Sequence, residues 1–254
     1  NLNRGFRYFL VFCVALGIAG IGAAYTVGWD FASFALDRSR REAPVQVLRL
    51  EKIASSIDFS GYEREWLQPM ADLIESHSGI PVSMVTTRHL VRGQIRDRWD
   101  VLAVEEFSSG QNLIDLLTSP PYRELRQSIE YQQRFSARYI LEDHIDFTWR
   151  GKEVLFFLAY GDSDPTSSID LLESVMPKFK GQELWRSGLT VLRDQYAPDW
   201  QLVISFRFPD DEYLLEWIND AEQLTNTTIA NTLVERLAIV VTDLIDSDEI
   251  LVLD

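Results

Sequence analysis

Cysteine is almost absent from this chain: Cys13 is the only one in 254 residues, and it sits inside a hydrophobic run. That excludes an intrachain disulfide and a multi-cysteine metal site. Histidine is nearly as scarce, and His77, His89 and His144 never approach the i,i+4 spacing of a helical metal pair. No G-x-S-x-G elbow, P-loop or H-E-x-x-H motif occurs. Basic residues are few as well, 24 Lys and Arg against 39 Asp and Glu, for a formal charge of -15. Residues 1–41 hold Arg4, Arg7, Arg38, Arg40 and Arg41 against Asp30 and Asp37, a net of +3, which leaves -18 for the remainder. Such a body lacks the basic stripe that phosphate neutralisation needs, so nucleic acid is not an expected partner. The acidic groups Asp162-Ser163-Asp164 and Asp210-Asp211-Glu212 lack the spacing of a calcium loop and read as solvated turns. From these absences we expect no catalytic residue set, no cofactor and no metal.

What the chain does have is apolar surface, with 46% of its residues hydrophobic and 12% aromatic, enough for a packed core. Tyr8 to Trp29 is free of charged side chains. At about 1.5 Å per residue, a helix over that run spans the bilayer's apolar thickness of about 30 Å. Tyr8 at one end, with Tyr25 and Trp29 at the other, suit the two membrane interfaces. Ala15, Ala19 and Ala23 form one row of small residues, and Gly20, Ala24 and Gly28 a second, which suits close packing against other transmembrane helices. The competing reading is a cleaved signal ending near Gly22-Ala23-Ala24. Arg4 and Arg7 favour a body on the extracytoplasmic, periplasmic side, while Arg38, Arg40 and Arg41 pull the other way. The partners this implies are lipid and other transmembrane subunits, with a basic soluble protein as a further candidate for the acidic body.

Behind the linker 30–44, two stretches follow one order. Val45–Ile53, Pro81–Val91, Trp99–Phe107 and Phe135–Leu141 read as strands, with helical periodicity over Gly61–Ser78 and around Leu113, Leu116 and Leu125, broken at Pro120-Pro121. Glu153–Tyr160, Leu184–Leu192, Trp200–Phe208 and Leu237–Val241 repeat the strands, with helices over Ile169–Phe179 and around Leu214, Trp217 and Ile218. An offset of 101 superposes Trp99 on Trp200, Phe107 on Phe208, Leu113 on Leu214 and Asp115 on Glu216. The expected fold is α+β: one transmembrane helix (1–29), the linker, and two ferredoxin-like βαββαβ repeats (45–150 and 151–254) forming a pseudo-dimeric α/β barrel.

The segment WDVLAVEEFSSGQNLIDLLTSPPYRELRQ, residues 99–127, resembles the dimeric α/β-barrel superfamily, which includes antibiotic-biosynthesis monooxygenases and haem-degrading enzymes; residues 200–224 repeat it more weakly. In that superfamily two such units close a barrel, so the resemblance implies a dimer fused into one chain. It implies two functions. The first expectation, which rests on the missing motifs and the small-residue helix, is a non-catalytic accessory subunit of a membrane complex, respiratory or photosynthetic. The alternative is a membrane-tethered monooxygenase or haem-binding enzyme with a cavity inside one half.

Overall fold

The computed structural model describes residues 38–93, 99–130, 132–147, 153–193, 198–224 and 234–244. The run Tyr8–Trp29, with the packing positions Ala15, Ala19, Gly20, Ala23, Ala24 and Gly28, lies outside them. Among the described residues no helix is long and apolar enough to cross a membrane.

Eight strands run in chain order as β1 Val45–Ile53, β2 Gly79–Arg92, β3 Val101–Phe107, β4 Gln133–Leu141, β5 Glu153–Ala159, β6 Gln182–Arg193, β7 Leu202–Arg207 and β8 Arg236–Leu244. They close into one antiparallel barrel in the order β1-β3-β2-β8-β5-β7-β6-β4. Each half therefore has its strands side by side as fourth, first, third, second, and the halves are stitched by β2 against β8 and β4 against β6. The two sheets expected to face one another are joined edge to edge instead, which leaves neither sheet an open edge.

Strand alternation sorts the side chains into two faces. One face of each strand enters the barrel, where Leu48, Leu50, Leu102, Val104, Tyr139, Leu155, Phe157, Val203 and Val240 form the shared core. Trp99 and Trp200, the pair matched in sequence, are both buried in that interior. The other face is covered by helices, separately in each half. In the first half these are α1 (Arg38–Glu42), α2 (Phe59–Tyr62), α3 (Gln68–Ser76), α4 (Gly110–Thr118) and α5 (Pro120–Ser128); in the second, α6 (Thr166–Val175) and α7 (Asp211–Leu224). Phe107 and Leu113 sit under the first set, and their sequence counterparts Phe208 and Leu214 under the second.

The helix starts are written locally. Ser109 accepts from the Asn112 N–H ahead of α4, and Ser119 from the Tyr122 N–H ahead of α5, where Pro120 and Pro121 fill first-turn positions that need no donor. The expected break at Pro120-Pro121 is thus a second helix start. The acidic turns behave similarly: Asp210 accepts from the N–H groups of Glu212 and Tyr213, and Asp164 from both N–H and hydroxyl of Thr166. Part of the expected linker is helical and docked, since α1 ends where the Gly110 N–H donates to Ala43 O.

Between α2 and α3 the helix widens into a π-helical turn, Glu63–Leu67. Gln68 N–H reaches back five residues to Glu63 O, and the next residue, Pro69, brings no N–H to restore the tighter ladder. That wider turn carries Trp66 onto the sheet, beside Tyr62.

Candidate active site

The outer face of the first sheet is not wholly apolar. Along β1, Val45 and Val47 share a face with Arg49 and Glu51, and the neighbouring strands add Glu105 from β3 and Arg138 from β4. All four charged residues are buried to 3% exposure or less, in the layer between sheet and helices. Arg49 is the hub: its Nη1 pairs with Glu51 Oε1, and its Nε donates to Glu105 Oε1 at 2.6 Å. Glu51 Oε1 also accepts from Trp66 Nε1 at 2.7 Å and Gln133 Nε2 at 3.1 Å. Gln133 in turn donates to the Tyr62 hydroxyl at 2.8 Å. The Arg49 guanidinium lies 5.9 Å from the Trp66 ring centre, and Arg138 lies 5.5 Å from that of Tyr122.

Burial opposes the charge on Arg49, but the Glu51 and Glu105 carboxylates beside it hold its pKa above the ordinary value. Arg138 is likewise penalised by burial, and Tyr122 and Glu105 more than offset that penalty. The Tyr62 phenol moves the other way in effect: burial first, and then Glu51, raise it so far that it stays protonated.

The second half acts as an internal control. Register aligns Arg49 with Phe156, since each pairs with the equivalent positions Ala103 and Ile204. By the same pairing Glu51 corresponds to Leu158, Glu105 to Phe206, and Arg138 to Ile239. Those four are buried members of an apolar cluster with Trp217, whose ring meets Phe156 edge-on at 5.6 Å. One topology is therefore filled with hydrocarbon in one half and with two ion-paired carboxylates and two guanidinium groups in the other. Buried charges are costly relative to apolar side chains of similar size, so the fold does not demand them. The other buried carboxylate of the structure, Glu153 inside the barrel, is fully engaged: Arg207 pairs with Oε1, and Ser205 donates to Oε2 at 3.2 Å.

Haem does not suit this donor set. His77 lies at the end of α3, where its Nδ1 meets Leu73 O, and His144 is exposed in the segment after β4. The β2 backbone at His89 is in register with Val241, away from the cluster. Tyr62, the phenol beside Arg49, is held in the protonated form that a phenolate ligand could not use. Among the described residues no group of three or more His, Cys, Asp or Glu is arranged to hold a metal ion.

No family model matches the sequence, and no curated protein is similar to it. Solved structures do match. An anthrone oxidase-like protein superposes with a TM-score of 0.51 at 10% identity, over 80% of this chain and 92% of its own. The fold is the dimeric α/β barrel. A chlorite dismutase variant from Candidatus Nitrospira defluvii gives 0.44 at 10% identity, over 85% and 98%. A protein assigned as a monooxygenase from Lactobacillus acidophilus gives 0.43 at 13% identity, over 80% and 95%.

These neighbours overturn the expectation of a non-catalytic accessory subunit and favour the enzyme reading set beside it. That expectation rested on missing linear motifs. The cluster escapes any such search because Arg49, Glu51, Glu105 and Arg138 come from three strands and are brought together only by sheet register.

Proposed function

We propose that the chain is an oxygen-using enzyme of the monooxygenase type whose reaction centre is the buried cluster of the first half. The observation that carries this reading is the asymmetry between the halves: four charged residues where the equivalent positions are Phe156, Leu158, Phe206 and Ile239. The π-helical turn over the same patch supports it, since such turns recur at functional sites. The matching strand order of the halves supports descent from one duplicated unit, of which one copy kept an apolar interior.

In this reading the substrate is an activated methylene compound of the anthrone kind, named after the fold neighbour. Glu105, which takes one bond from Arg49 and keeps Oε2 free, accepts a proton from the methylene carbon. Arg138 faces the oxygen on which the resulting negative charge gathers. The carbanion then reduces dioxygen: one oxygen atom ends in the new carbonyl and the other leaves as water, while the carbon loses four electrons. Glu51, held by Arg49, Trp66 and Gln133, fixes the position of Arg49.

Oxygen uptake by the full chain with anthrone in air tests the proposal. One O2 should be consumed per anthraquinone formed, and Glu105→Gln should lower kcat/KM by about 100-fold or more. Uptake no faster than without protein ends this reading. A membrane-tethered form, as the run Tyr8–Trp29 provides, belongs to the same proposal. It predicts that the full chain resists extraction by carbonate and yields to detergent.

A further inference from the structure

Five buried polar atoms of the first half have no partner among the described residues: Glu51 Oε2, Glu105 Oε2, Tyr122 OH, and both Nε and Nη2 of Arg138. The two Arg138 atoms form one edge of the guanidinium, and their N–H bonds point the same way. That edge is the one that grips two oxygens lying side by side. Arg138 is 3% exposed and its strand neighbour across the sheet is Arg49, which is already committed to Glu51 and Glu105. A buried cation with an open edge is among the most expensive features a core can hold, and the second half avoids it with Ile239.

The unsatisfied atoms also describe what would satisfy them. Arg138 offers two donors, the free oxygens of Glu51 and Glu105 need donors, and the Tyr122 hydroxyl can do either. A carboxylate ligand would fit the Arg138 edge, yet it brings no proton for Glu105 and adds a third negative charge beside two. A ketone with a hydroxyl on the adjacent ring position presents two neighbouring oxygens and one donor. It is neutral, as is the sum of Arg49, Arg138, Glu51 and Glu105. The aromatic side chains Tyr62, Trp66 and Tyr122 on the same patch suit flat rings.

We infer, on the reading of this patch as the reaction centre, that its ligands are hydroxylated aromatic ketones, bound with the oxygen pair on the Arg138 edge and the hydroxyl proton toward Glu105. The class is set by hydrogen-bond complementarity, and Arg138 determines specificity.

The test is anaerobic binding of three probes to the full chain by calorimetry: 2'-hydroxyacetophenone, acetophenone and benzoate. The hydroxyketone should bind at least about tenfold tighter than acetophenone, because only it satisfies the buried acceptors, and benzoate should bind weakest. Arg138→Met should reduce hydroxyketone affinity to the acetophenone level, and Arg138→Lys, with its charge but no paired edge, should fall between. Benzoate binding tightest, three equal affinities, or an unchanged hydroxyketone affinity in Arg138→Met overturns the inference. Should either variant lose its near-ultraviolet circular dichroism, the ranking of the probes on the wild-type chain decides alone. Because no oxygen is present, failure here with oxygen uptake intact rejects only the ligand class. The predicted ranking without oxygen uptake rejects only the oxidase reading.

Discussion

Removing Arg49 and removing the whole charged cluster should have opposite consequences for stability. Arg49→Met leaves Glu51 and Glu105, both almost fully buried, without the cation they share. Breaking a buried pair in this way costs about 3–5 kcal/mol. For a folded body of this size each kcal/mol lowers Tm by about 2–4 °C, so the loss should be roughly 6–20 °C. The second half supplies the apolar alternative: Arg49→Phe, Glu51→Leu, Glu105→Phe and Arg138→Ile reproduce Phe156, Leu158, Phe206 and Ile239. Trp66→Phe is added to remove the indole donor that Glu51 had satisfied. Replacing buried ion pairs by hydrocarbon is neutral or favourable by about 1–4 kcal/mol, against which the larger ring at position 105 costs about 1–3 kcal/mol. The multiple variant should therefore melt within a few degrees of the wild type, and well above Arg49→Met. Thermal denaturation followed by circular dichroism measures both. A multiple variant that melts as low as Arg49→Met would refute the reasoning, because the charges would then be holding the fold rather than burdening it.

Three further outcomes follow from the geometry. Ser109→Ala removes the acceptor for the Asn112 N–H and should cost about 1 kcal/mol in urea denaturation, while Ser109→Asp should restore most of it. Gly110→Ala would put a Cβ 2.5 Å from the carbonyl oxygen of Arg40, a backbone atom that cannot swing aside, so α1 must shift and about 1–3 kcal/mol should be lost; an unchanged Tm would show that this contact is slack. Asp58, at the start of α2, has its pKa lowered by the Ser60 hydroxyl and then by the Gly61 N–H, so its contribution is present above the unfolded value of about 3.9 and is lost as pH falls through the folded one. The Tm gap between wild type and Asp58→Ala should accordingly be larger at pH 7 than at pH 2, and an equal gap at both would contradict the capping role.

The element order was legible because apolar periodicity is a local property. β1 spans the residues its composition suggests, and the 101-residue offset places Phe107 with Phe208 and Leu113 with Leu214 in equivalent layers. Edges were less so: the strand expected from Trp99 starts at Val101, because Trp99 turns into the barrel as a plug rather than a ladder residue. The cluster was hidden by distance in sequence, since Glu51 and Gln133 meet only through the pairing of β1 with β4. Two signals were available all the same. Arg49 and Glu51 alternate with Val45 and Val47 on one strand face, which is an odd place for charge beneath a helix. The same offset sets Glu105 against Phe206, a charge for a ring at a buried position. The π-helical turn had only Pro69 to announce it, and a proline in the second turn more often reads as an ordinary start.

Steady-state anthrone turnover by the wild-type chain, set beside the folded multiple variant that copies the second half, tests the central claim most directly. Oxygen uptake by the wild type, with a loss of at least about 100-fold in a variant of unchanged Tm, is the result the asymmetry predicts. Equal turnover by both proteins would place the chemistry elsewhere and contradict the account.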